Sequence, residues 1–279
     1  MAVLSEEDRL WKLRLERFFY DRAEEISGVP TLLDHVRISA KDPRIAGRED
    51  YHADLIGSLI DQLDLDQTKR VLEIGCASGY IACGLALNVG LYDGVDLASP
   101  PLDVARRMKL ANATFQQSDG GALPFENESF DAAFAYDVLS NFPRFDLAEP
   151  LLDEMLRVVR PGGRFMAGSV TDAQTGQEFQ QHVYKVATEL EEKYGPVPVV
   201  PEKKQGPLAQ FAKWARRIFR PGERPPTKDA GQAVNYNFQR EDFETFAQSR
   251  GCTLEFRDVH DLNPYKGFRF NAVMTKPLS

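Results

Sequence analysis

The chain is expected to fold as an open α/β structure, a doubly wound and mostly parallel seven-stranded sheet with helices on both faces. Three observations predict this. From Arg70 to Ser169, short apolar runs alternate with amphipathic stretches, the rhythm of buried parallel strands each followed by a covering helix. One run, Val71-Leu72-Glu73-Ile74, leads straight into a glycine-punctuated turn and a helical segment. Two further strand-like runs, Thr253 to Val259 and Arg269 to Thr275, lie near the end of the chain, positioned to close the far edge of the sheet, the second of them in an antiparallel sense.

The elements follow in order. Ser5 and Asp8 form a capping-box pattern, and Leu10, Leu13 and Phe18 then recur at helical spacing to about Ile26. Gly28-Val29-Pro30 breaks that helix, and further helices are read over Leu32 to Val36 and Tyr51 to Leu63. Residues 1–69 thus make an N-terminal helical cap. Within 70–170, strands are placed at Val71 to Ile74, Tyr92 to Leu97, Thr114 to Gln116, Ala132 to Tyr136 and Arg164 to Ser169. The helices between them fall at Tyr80 to Asn88, Leu102 to Met108 and Ala148 to Val159. Residues 171–238 lose the strand rhythm and read as a variable insertion or lid, rich in proline and partly basic. A helix from Arg240 to Arg250 and the two closing strands occupy 239–279.

Composition narrows the function. A formal net charge of −8 over 279 residues repels a phosphate backbone, so nucleic acid is not the expected partner. No apolar run reaches the roughly 20 residues needed to cross a bilayer, and the acidic start Ser5-Glu6-Glu7-Asp8 is unlike a signal peptide; a cytoplasmic protein is expected. Cys76, Cys83 and Cys252 have neither metal-ligand spacing nor an even disulfide count, so no metal is expected and the thiols read as reduced.

The turn Gly75-Cys76-Ala77-Ser78-Gly79 is the strongest ligand signal, because glycine lets backbone approach a ligand and the next helix presents unpaired N–H groups. A dinucleotide fingerprint would need glycine at 77 and 80, where Ala77 and Tyr80 stand, so a pyrophosphate is poorly served. Glu73 before the turn suits a ligand bearing an ammonium group. Asp96, at the end of the second strand, stands at the distance of about twenty residues from which an acid reaches ribose hydroxyls. Asp119, in Asp119-Gly120-Gly121, is placed to accept from an adenine amino group. Each has a plainer reading, a cap or a turn, when taken singly.

Taken in order, these residues resemble the class I S-adenosylmethionine-dependent methyltransferases, in particular the group that includes the ubiquinone and menaquinone biosynthesis methyltransferases. Glu73-Ile74-Gly75-Cys76-Ala77-Ser78-Gly79 is similar to the first motif of that family, and Gly94-Val95-Asp96-Leu97 to its ribose-binding strand end. Asp119 with Leu123-Pro124-Phe125 resembles the adenine loop, Phe130-Asp131-Ala132-Ala133-Phe134 the fourth strand, and Arg157-Val158-Val159-Arg160-Pro161-Gly162-Gly163 the entry to the fifth. The resemblance covers about Arg70 to Ser169 and implies a Rossmann-like fold and an S-adenosylmethionine cofactor. It places Glu73, Gly75, Cys76, Ala77 and Gly79 at the methionine end, Asp96 and Leu97 at the ribose, Asp119 and Gly120 at the adenine, and Tyr136 beside them. Ala77 replaces the usual middle glycine, and Leu139-Ser140-Asn141 stands where many relatives carry histidine.

Methyl transfer from a sulfonium is an in-line displacement in which positioning supplies much of the acceleration. Where a base is needed, Asp137 after the fourth strand leads the candidates, with His182 and Tyr184 in the variable region behind it. Tyr136-Asp137-Val138-Leu139 lacks the Pro-Pro-Tyr arrangement of enzymes that methylate nucleic-acid bases, so a small-molecule acceptor is expected. From Glu202 to Lys228, eight lysines and arginines face two glutamates, and Phe211, Trp214, Ala215 and Ile218 follow helical spacing with Arg216 and its neighbours interleaved. That stretch reads as a lid over an apolar acceptor, as a contact of 208–220 with an anionic membrane surface, or as a helix packed on the core with solvated charges. Two other functions stay open: aminopropyl transfer in the same nucleoside pocket, and a non-catalytic binding or regulatory protein on the same fold.

Overall fold

The computed structural model describes residues 5–23, 26–197 and 236–278. Its centre is a seven-stranded sheet in the order β3-β2-β1-β4-β5-β7-β6. The strands are β1 (Arg70–Ile74), β2 (Leu91–Asp96), β3 (Ala113–Gln117), β4 (Phe130–Tyr136), β5 (Val159–Thr171), β6 (Thr253–Asp258) and β7 (Arg269–Thr275). The sheet is mixed: β1 to β5 pair in parallel, whereas β7 runs against both β5 and β6. From β1 the chain winds outward through β2 and β3, then returns to build β4 and β5 on the other side. The order therefore reverses between β1 and β4, and the crevice beyond their carboxyl ends is the place where open α/β sheets hold ligands.

Alternation of side chains divides the core. Val71, Tyr92 and Phe134 pack on one face with α4 (Glu49–Leu63), α5 (Ala82–Leu85) and α6 (Ser99–Arg106). Leu72, Ile74, Ala133 and Phe165 pack on the other with α7 (Phe145–Val158) and α9 (Arg240–Ser249). Ahead of the sheet lie α1 (Glu6–Ala23), α2 (Leu32–Ile38) and α3 (Pro43–Ala46), and α8 (Gly176–Tyr194) follows β5.

Several elements differ from expectation. The helix read over Tyr80 to Asn88 shrinks to α5 and a 3₁₀ turn, Ala86–Asn88. Gly84 in this segment abuts α4 so closely that a Cβ would stand 2.7 Å from His52 Cε1 and 2.8 Å from Ile56 Cγ1. α3 was not expected; Asp42 caps it, accepting from the Arg44 N–H at 2.9 Å, and Pro43 supplies a preset φ. β5 begins five residues early because Gly162 and Gly163 extend the ladder, exchanging backbone hydrogen bonds with Lys276 at 3.0 Å each. α8 falls where only an insertion was anticipated, although Phe179, Val183, Val186 and Leu190 recur at helical spacing and Phe179 and Val186 are buried. The candidate lid residues Phe211, Trp214 and Arg216, with the rest of the basic stretch, lie outside the described residues.

Candidate active site

A cavity of about 500 Å³ opens at the strand-order reversal, a size suited to a small-molecule ligand. Its wall contains Glu73, Gly75, Cys76, Ala77, Asp96, Leu97, Asp119, Gly120 and Tyr136, residues contributed by the ends of β1, β2 and β4 and the loop after β3. Gly79 is the exception. At φ +89° it faces α6, where a Cβ would stand 2.5 Å from Met108 Cε, so its part is to let the turn pack and not to touch a ligand.

The turn after β1 is held by Asp96. One carboxylate oxygen accepts the Ala77 N–H at 2.8 Å and the other the Ala98 N–H at 2.9 Å. Ala77 adopts φ +45°, a left-handed conformation that costs a non-glycine residue about 1 kcal/mol, and the bond to Asp96 holds it there. Gly75, at φ +78°, lies against the loop after β4, where a Cβ would come within 2.4 Å of Val138 Cγ2. Each Asp96 oxygen retains a lone pair for a hydroxyl of a ligand.

Burial sets the protonation of the floor. It pushes the Asp96 carboxyl up to about 6. Glu73 is also buried, accepts the Tyr92 hydroxyl, and is pushed up to about 8 by burial and then by the neighbouring Asp96 charge. Cys76 is likewise raised by burial, which leaves an inert thiol. The floor therefore carries one carboxyl, Glu73, that a cationic ligand would ionise near neutrality.

The roof is different. α1 lies across the cavity with Asp8, Trp11, Lys12, Leu15 and Phe19 in the wall, and none of these was anticipated as a site residue. Trp11 Nε1 donates to the Asn141 carbonyl at 2.7 Å, and Arg144 donates to both Asp8 oxygens at 2.9 and 3.2 Å. Lys12 Nζ sits 2.9 Å from Asp119 Oδ2. Burial opposes ionisation of Asp119, but the hydrogen bond and charge of Lys12 outweigh it and hold the carboxyl below its ordinary value.

Of the three catalytic candidates, only Asp137 reaches the cavity. Its backbone is left-handed at φ +58°, and its carboxylate pairs with Lys41 and, at 2.9 Å, with Arg269 Nη1. Burial would raise its pKa, yet the Lys41 and Arg269 charges prevail and bring it to about 2. A carboxylate so weakly basic is a poor proton acceptor near neutrality, which corrects the expectation of a base there. His182 lies outside the cavity wall: Nε2 lies 2.6 Å from the Pro264 carbonyl and the ring stacks on Phe268. Tyr184 is 77% exposed on α8, away from the cavity wall.

Tyr136 ends β4 with its ring in the wall. Its register partner on β5 is Gly168, where a Cβ would stand 2.4 Å from Tyr136 Cδ2, so the missing side chain on one strand makes room for the ring on the next.

Comparison with known proteins points to a methyltransferase domain. Residues 72–167 match the family model of a methyltransferase domain. The chain is 39% identical over 119 residues to the fatty-acid O-methyltransferase of Mycolicibacterium smegmatis, which is 42% of each chain. It is 36% identical over 118 residues to the phthiotriol/phenolphthiotriol dimycocerosates methyltransferase of Mycobacterium leprae, 40% of this chain and 41% of that one. The matches thus span less than half the length of these curated relatives. Among solved structures, the geranyl diphosphate C-methyltransferase of Streptomyces coelicolor A3(2) superposes with a TM-score of 0.58 at 12% identity, over 95% of this chain and 98% of that one. The magnesium protoporphyrin IX methyltransferase of Synechocystis PCC 6803, with S-adenosylmethionine bound, gives 0.54 at 12% identity over 99% of each. At such identities the likeness is one of fold. The narrower resemblance to the quinone-methylating group rests on the sequence motifs alone.

Proposed function

We propose that this chain transfers a methyl group from S-adenosylmethionine to a small, largely apolar acceptor. The observation that carries the reading is the gathering of Glu73, the Gly75 turn, Asp96 and Asp119 in one cavity at the strand-order reversal, below a match to a methyltransferase domain. The residues fit the cofactor chemically. Glu73 is a buried carboxyl that accepts the Tyr92 hydroxyl, and it would ionise against the ammonium of a bound methionine moiety. Asp96 keeps lone pairs for ribose hydroxyls, and Asp119, whose Oδ1 accepts the Gly121 N–H, offers Oδ2 to an adenine amino group once Lys12 gives way.

Bound there, the cofactor supplies an electrophilic methyl group on a cationic sulfur. The chain's own contribution is to orient and to exclude water: the backbone of the turn fixes one end, the carboxyls the other, and α1 roofs the cleft. No basic group in the cavity is needed for an acceptor that is already an anion. That two curated relatives are named for fatty-acid and phthiotriol dimycocerosates methylation supports an apolar acceptor, and a quinone-like acceptor stays among the compounds to be tried. Among the described residues no helix is long and apolar enough to cross a membrane, and a surface contact through 208–220 is part of the proposal.

Calorimetric titration with S-adenosylhomocysteine, followed by a labelled-methyl screen over fatty acids, phenols, quinones and amines, tests the reading. Saturable binding and one methylated product are expected. A purified, folded chain that ignores both cofactor and demethylated product would end the proposal, and binding without any product would favour a non-catalytic role.

A further inference from the structure

The turn after β1 is held residue by residue, and from different sides. Gly75 and Cys76 both donate their N–H to the Val95 carbonyl, at 2.7 and 3.0 Å, Ala77 donates to Asp96, and Gly79 fits closely against Met108 and Ala105. Ser78 is held from outside the sheet. Its Oγ is hydrogen-bonded at 3.1 Å to Nδ1 of His35, on α2 of the N-terminal cap. Both residues are buried, Ser78 completely, and neither stands in the cavity wall.

Tyr80, which does line the cavity, is tied to the same cap. Its hydroxyl donates to the Ala46 carbonyl, at the end of α3, at 2.8 Å, and its own carbonyl lies 2.7 Å from His52 Nε2, on α4. Thus α2, α3 and α4 each contribute one bond to residues 78 and 80.

The turn needs such support. Gly75, Ala77 and Gly79 are all left-handed, and the middle one carries a side chain. The strain at Ala77 is about 1 kcal/mol, of the order of a single hydrogen bond, and the flanking glycines have more backbone freedom to lose than any other residue. A buried hydroxyl stripped of its partner costs about 1 to 3 kcal/mol, so the bond between Ser78 and His35 is large enough to set how much of the time the turn keeps its shape.

We propose that the N-terminal cap completes the cofactor site, with His35 as a positioning residue that holds the turn, through Ser78, in the shape that receives the methionine end of S-adenosylmethionine; this rests on the methyl-transfer reading above. His35 lies outside residues 72–167, so the part that matches a methyltransferase domain carries the turn and the cap carries its clamp. Burial lowers the His35 ring to about 4 and keeps it neutral, so the clamp brings no positive charge towards a cationic cofactor. Because neither His35 nor Ser78 lines the cavity, a change at either can reach a ligand only through the turn.

The test is calorimetric titration of S-adenosylhomocysteine onto the full chain, with amide hydrogen exchange at residues 75–80 followed in the ligand-free protein. His35→Ala is expected to weaken binding about fivefold and to speed exchange across the turn about tenfold. His35→Asn, whose amide can take the place of Nδ1, should recover most of both losses, which a general loosening of the cap would not allow. Ser78→Ala should reproduce the loss from the other side, and joining it to His35→Ala should add less than about twofold more. Val36→Ala, on the same helix and fully buried, should lower the melting temperature while S-adenosylhomocysteine affinity stays within about twofold. An affinity for His35→Ala within about twofold of wild type, a loss that His35→Asn does not recover, or an equal loss in Val36→Ala overturns the proposal. Should His35→Ala not fold, Ser78→Ala set against Val36→Ala decides. A wild-type chain that does not bind S-adenosylhomocysteine overturns the methyl-transfer reading instead, and exchange at residues 75–80 then decides the clamp alone.

Discussion

The floor and the roof of the cleft use carboxylates in opposite ways. On the floor, Glu73 and Asp96 are buried, bonded to a hydroxyl or to backbone N–H groups, and raised to about 8 and about 6. In the roof contacts, Asp8 and Asp119 are matched by Arg144 and Lys12, and Asp8 is drawn down to about 2, first by its hydrogen bonds to Arg144 and Ser5. The difference teaches which half waits for a ligand. The floor acids are hydrogen-bonded but have no ion-pair partner, whereas the roof acids already have theirs and must exchange one for another.

Breaking the floor should have the largest effect. Asp96→Ala removes the acceptor for two backbone N–H groups as well as the ribose contact, and S-adenosylhomocysteine affinity should fall by about a hundredfold, roughly 3 kcal/mol, in a calorimetric titration. A loss under about fivefold would show that Asp96 serves the turn alone.

A second, intermediate effect concerns pH. The folded-state pKa of Glu73 lies above its ordinary value, so the stability that this group lends is full below about pH 4.5 and is lost as pH rises through about 8. The ligand-free chain should therefore become less heat-stable as pH rises from about 6 to 8, and Glu73→Gln should flatten that slope in thermal melts. His35, buried beside Ser78 and lowered by burial to about 4, acts the other way and costs stability as pH falls from about 6.5 towards 4. Binding of S-adenosylmethionine near pH 7 should release a proton, visible as a binding heat that changes with the ionisation enthalpy of the buffer.

The roof should yield the smallest change. Lys12 and Asp119 are both partly exposed, and such pairs contribute about 0 to 1 kcal/mol. Lys12→Ala should shift S-adenosylhomocysteine affinity by less than about fivefold and make it less sensitive to salt. A large change would move α1 from a roof to a binding element.

Legibility in the sequence follows the same division. Floor residues sit at strand ends within short contiguous motifs, so strand rhythm and spacing point to nearly all of them; Gly79 differs because it packs against Met108, in the turn after α6 and 29 positions away. The roof was hidden because its contacts join residues 107, 130 and 136 positions apart, and an amphipathic N-terminal pattern says nothing of what it covers. Asp137 was placed correctly in space and wrongly in chemistry, since its partners Lys41 and Arg269 come from the cap and the last strand. For α8 the apolar spacing is present, but only Phe179 and Val186 are buried, so its pattern is a weak one.

The reversal of strand order has a consequence for how such a protein diversifies. Because the chain winds away from β1 in one direction and returns to continue in the other, the two walls of the cleft are encoded in separate stretches joined at a shared seam. Loops grown after β5, or helices added ahead of β1, can reshape one wall while the other keeps its form.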